Sequence, residues 1–200
     1  MSARAVLDVS ALPTAEHGRR ALVWLGQVWM LVIEGTMFAL AFASYFYLRA
    51  TADVWPPANV ELPGLAIPTV MLALFLATIV PTRISSRAAD EEDAPRLVRS
   101  MVVLSVLELV AVALWWVYLS RLGFRWYDYA YGSAVWLLLG IHTFHLVVST
   151  AETVVLTTLA ARGPVTRGHY LATKIDGMYW YWVIGWFIAI YLVVDLLPRV

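Results

Sequence analysis

The chain has 200 residues, 62% of them hydrophobic and 14% charged; 14 basic and 14 acidic side chains cancel to zero net charge, and the mean hydropathy is +0.74. Soluble proteins average about 45–50% apolar and 25% charged, so these numbers exclude a soluble enzyme and a disordered tail, and the balanced charge offers no cationic surface to nucleic acid. The absence of cysteine excludes a disulfide-stapled module, a thiolate metal site, a covalently attached c-type haem and a cysteine nucleophile.

Residues 1–20 carry Asp8, Glu16, Arg19 and Arg20 without a useful apolar run, so they read as a polar lead-in and not as a secretory signal. The rest, 21–199, reads as one transmembrane domain. A helix needs about 20 apolar residues to cross a bilayer, and five stretches qualify. The first, about 21–48, contains one formal charge, Glu34. The second, about 64–80, is entered through Pro63 and closed by Pro81. The third, about 97–119, has Glu108 in its middle, and the fourth, about 129–160, carries His142, His145 and Glu152. The fifth, about 175–197, ends at Pro198, and Asp176 stands where it can cap the helix N-terminus.

The predicted fold is therefore all-α, a polytopic membrane bundle of five transmembrane helices. Ten basic residues fall in the N-terminus and the second and fourth connections, against four (Arg49, Arg121, Arg125 and Arg199) on the other side. The positive-inside rule then predicts a cytoplasmic N-terminus and an outside C-terminus. Asp90, Glu91, Glu92 and Asp93 read as a solvated turn.

An ionisable group inside a membrane span is expensive and is a functional hypothesis by default. In the fourth span His142, His145, Ser149 and Glu152 fall at i, i+3, i+7 and i+10, within an arc of about 80° on one helix face. Val135 and Leu138 extend that face. Such a stripe needs cover from another helix, a partner subunit, lipid headgroups or a wet cavity. Its plain reading is interhelical hydrogen bonding; its sharper one is a proton path or ligand site. Glu34 and Glu108 have the same two readings: a carboxyl hydrogen-bonded across helices, or a reactive, proton-buffering group. Two histidines one turn apart could join carboxylates in a di-metal centre, whereas neighbours on one turn cannot reach both faces of a haem. No metal site is predicted. Tyr179, Trp180 and Trp182, at the start of the fifth span, predict an interfacial aromatic belt, with close packing as the commoner role of such residues.

Four segments together resemble subunit III of the haem–copper cytochrome c oxidases, in a short five-helix form. The first helix, WLGQVWMLVIEGTMFALAFASYFYLR, places Glu34, Met37 and Phe38 where that family has an intramembrane glutamate and a Met-Phe pair. The loop VWPPANVELPGLAIPT is similar to the family's Trp-Pro-Pro turn. GIHTFHLVVSTAETVVL resembles its His-x-x-His helix, and DGMYWYWVIGWFIAIYLVVDLLPR its closing helix. Tyr181 and Ile184 stand where many members have histidine and aspartate, and Ser149 where a glycine is common.

The resemblance implies a non-catalytic subunit that binds no cofactor of its own. Haem and copper would lie in subunits I and II, its partners. This chain would bind phospholipid in a cleft between its first two helices and the last three, and would support oxygen and proton supply in aerobic respiration. Glu34 would be the family's reactive carboxyl, and the location a bacterial inner membrane. An accessory subunit of a nitric oxide reductase, a small proton or cation transporter using the same acids and imidazoles, and a di-metal membrane enzyme stay open as alternatives.

Overall fold

In a computed structural model, which describes residues 22–199, the chain forms five long helices joined by short connections. The polar lead-in expected at residues 1–20 lies outside the described residues. The helices are α1 (Leu22–Thr51), α2 (Ala66–Asp90), α3 (Ala94–Ser120), α4 (Ala130–Arg162) and α5 (Arg167–Ile190). α5 continues into a π-helical turn, Tyr191–Leu196, and a final 3-10 turn, Leu197–Arg199. All five are long and apolar enough to cross a membrane.

α2, α3, α4 and α5 close a ring in which each packs on its two neighbours, and α1 lies outside it against α4 and α5. The core is heavily aromatic: Phe75, Trp115, Tyr131, Trp180 and Phe187 are all at most 1% exposed. The expected cleft between the first two helices and the last three is not formed. α2 is built into the ring between α3 and α5, while α1 sits on a different face.

Two helix boundaries differ from the sequence reading. Pro81 does not close α2, which runs nine residues beyond it to Asp90. A proline removes one backbone donor, here the one that would reach Ala77 O, and membrane helices tolerate such a loss. Hydroxyls flank the proline on the same helix: Thr78 donates to Phe75 O at 2.5 Å, Thr82 to Thr78 O at 2.8 Å, and Ser85 and Ser86 both to Thr82 O. α5 begins at Arg167, eight residues earlier than expected, because Thr166 and His169 form its cap: the Thr166 backbone N–H donates to His169 Nδ1 at 3.0 Å. Asp176 is therefore not a cap. It lies inside α5, 1% exposed.

The acidic turn between α2 and α3 is more than a solvated link. Asp93 caps α3 by accepting from the Arg96 N–H at 3.1 Å. Lys174 reaches Asp90 at 2.5 Å, and the Tyr170 hydroxyl donates to Glu92 O at 2.9 Å, so the turn is tied to the start of α5. At the opposite end, the Arg199 guanidinium donates to Asp195 O and Pro63 O, and Tyr118 donates to the Asp195 carboxylate at 3.0 Å. Both ends of the ring are thus laced by polar bonds.

Candidate functional site

Among the described residues, α4 supplies more of the buried polar side chains than any other helix. His142, His145, Ser149, Thr153 and Thr157 run along the inner face of α4, all buried. Val135 and Leu138, expected on that face, are fully buried with them. Glu152 is not part of this line. It sits at the edge of the predicted arc, where the helix turns outward, and is exposed on the bundle surface.

His145 is the junction with α1 and α5. Its Nδ1 is 2.8 Å from the Tyr179 hydroxyl and 3.7 Å from Glu34 Oε2. Glu34 is half-buried, its side chain 20% exposed against 1% for His145, so it spans from the outside of the bundle to the interior. One turn further along α1, Phe38 is fully buried and stacks on Trp186 with centroids 4.4 Å apart at 9°. Trp182 meets the same ring edge-on. This aromatic seat holds α1 at the register where Glu34 faces His145.

His142 has a different environment. It has no exposed surface and no hydrogen-bond partner on either nitrogen, and its ring is surrounded by Trp115, Phe187 and Phe75 at 4.8, 5.7 and 6.1 Å. Both histidines of the His-x-x-His pair pack among aromatic rings, but only His145 has a hydrogen-bond partner. Among the described residues no three His, Asp or Glu side chains converge as ligands of one ion.

Glu108 meets a residue the sequence reading had placed elsewhere. It is fully buried in α3 and shares the Thr153 hydroxyl with Asp176 of α5: Thr153 Oγ1 lies 3.3 Å from Glu108 Oε1 and 2.9 Å from Asp176 Oδ1. One turn along, Ser105 and Thr157 meet at 2.9 Å. Thr153 and Thr157 were not singled out from the sequence. The signal was present, since 145, 149, 153 and 157 repeat at i+4 on the histidine face.

The aromatic belt expected at Tyr179, Trp180 and Trp182 is instead interior packing. Because α5 starts at Arg167, these residues lie about three turns inside it. Tyr179 and Trp180 are 2% and 0% exposed, and the Trp180 indole N–H donates to Thr78 Oγ1 at 2.8 Å. Trp182 is half-buried beside His145 and Phe38.

These features define a class: a multi-pass membrane protein whose ionisable and aromatic groups converge on the middle of a helix bundle. The family model of cytochrome c oxidase subunit III matches residues 15–197, and the chain belongs to that family. It is 25% identical over 198 residues to cytochrome c oxidase subunit 3 of Arabidopsis thaliana and, equally, of Triticum aestivum, covering 92% of this chain and 75% of either relative. The same subunit of Helianthus annuus is 27% identical over 193 residues, covering 88% of this chain and 70% of its own length.

Proposed function

We propose that the chain is the non-catalytic subunit III of a proton-pumping haem–copper terminal oxidase, seated in a bacterial inner membrane against subunit I, with subunit II in the same assembly. The observation that carries this reading is the family match over nearly the whole chain. Haem and copper belong to the partner subunits, and this chain contributes packing, phospholipid contacts and support for oxygen and proton supply. Glu34 suits a supporting role because it links the bundle surface to His145 and, through it, to Tyr179. An odd number of crossings and the basic content of the connections support a cytoplasmic N-terminal side and an outside C-terminus.

The test is affinity purification of the tagged chain in mild detergent, with identification of co-purifying bands and a visible spectrum. Subunits I and II with haem–copper absorbance are the expected result. Recovery with nitric oxide reductase subunits, or with none, would contradict it.

A further inference from the structure

Glu108 and Asp176 stand apart from the Glu34–His145–Tyr179 group and are the most deeply placed acids of the ring, 0% and 1% exposed. Among the described residues, no Lys, Arg or His nitrogen comes within 4.0 Å of either carboxyl; the ion pairs formed are elsewhere. The charged groups on the packed helices do not compensate them. Lys174 on α5 is held by Asp90, Arg83 and Arg87 on α2 are exposed, and Glu152 on α4 is an exposed acid. Glu34 on α1 is half-buried beside His145.

Hydrogen-bond capacity sharpens the point. The one hydroxyl between the acids, Thr153 Oγ1, has three acceptors in reach: Asp176 Oδ1 at 2.9 Å, Ser149 O at 3.1 Å and Glu108 Oε1 at 3.3 Å. A hydroxyl carries one proton and satisfies one of them at a time. Glu108 Oε2 and, one turn along α4, Ser149 Oγ are fully buried without a partner. Two carboxylates sharing a buried site cannot both ionise cheaply, and the missing donor is supplied when a carboxyl carries the proton itself.

We propose that Glu108 and Asp176, bridged by the Thr153 hydroxyl, form a proton-binding site in the bundle core. At neutral pH the pair holds at least one exchangeable proton, bound to a carboxyl oxygen, taken from hydronium and returned to water. The site lies eight residues, about 12 Å along α4, from His145, so it is separate from the Glu34 group. It does not depend on which subunit the chain docks against.

The test is infrared difference spectroscopy of the chain with its co-purifying subunits in native lipid, wild type minus Glu108→Gln and wild type minus Asp176→Asn. The expected result is a protonated-carboxyl carbonyl band in the wild type that shifts in D2O and is lost when both substitutions are combined. Both replacements are nearly isosteric. Thr153→Val gives an independent arm should either fail to insert, and there the band persists at a shifted frequency. Identical spectra for wild type and the double variant, or an unshifted band in Thr153→Val, would overturn the proposal. A band that emerges only when sodium is replaced by choline would identify a metal cation as the occupant and overturn it as well.

Discussion

α1 and α4 are alike in bulk and opposite in use. They have 30 and 33 residues and comparable hydropathy, yet α4 buries fourteen residues and α1 only Phe38, Ala41 and Tyr45. What separates them is where the polar and small residues fall. α4 carries its imidazoles and hydroxyls along one inner face, so neighbouring helices must cover it on nearly all of that side. α1 presents Leu22, Leu25, Trp29, Ile33 and Leu40 outward, each at least 47% exposed, and touches the ring through a narrow aromatic seat. Hydropathy selects which segments enter the membrane; the polar pattern decides which becomes the centre.

The largest expected effect comes from the centre. Trp180→Ala removes a fully buried indole and its bond to Thr78 and should cost about 3–5 kcal/mol in detergent unfolding. Trp29→Ala on α1, at 60% exposure, should stay within about 0.5 kcal/mol. Equal losses would erase the distinction between the helices.

Next is the seat itself. Phe38→Ala should cost about 3 kcal/mol, and the loss should be local. Hydrogen exchange should speed up in α1 while α2–α5 keep their protection. Loss of protection throughout the ring would show that α1 is part of the core.

Glycines give a smaller contrast. A Cβ on Gly132, at the start of α4, would lie 2.6 Å from Arg125 O, whereas one on Gly26 of α1 would meet nothing within 4 Å. Gly132→Ala should destabilise by about 1–3 kcal/mol, and Gly26→Ala should stabilise by about 0.5–1 kcal/mol. Thermal unfolding of the two variants checks the opposite signs.

The smallest effect is expected at Glu34. Glu34→Gln keeps a hydrogen-bonding group near His145 and should leave assembly nearly intact, while Glu34→Leu should lower the yield of assembled complex. Assembly abolished by the glutamine would show that a neutral polar group beside His145 does not suffice and that the carboxyl itself is needed.

The five spans were legible because about 20 apolar residues in a row leave few alternatives. The ends were harder. Pro81 reads as a stop, yet α2 continues through it to Asp90, because one lost backbone bond inside a packed membrane helix is tolerated. Arg167 and His169 read as loop, yet Thr166 with His169 starts α5 there and brings the aromatic run inside. The face of α4 was readable from its period, except that Glu152 lies on the edge that turns outward. The encounters Glu108–Thr153–Asp176 and His145–Tyr179–Glu34 depend on the relative depth of separate helices. That depth follows from how the helices pack against one another, which no single segment encodes.

The central claim is that this chain buries its acids and imidazoles against protein neighbours and carries no redox centre of its own. Metal analysis with a reduced-minus-oxidised visible spectrum of the purified chain, separated from every companion, tests it most directly. The account predicts no haem absorbance and no stoichiometric iron, copper or zinc; a coloured centre, or metal in fixed ratio to protein, would contradict it.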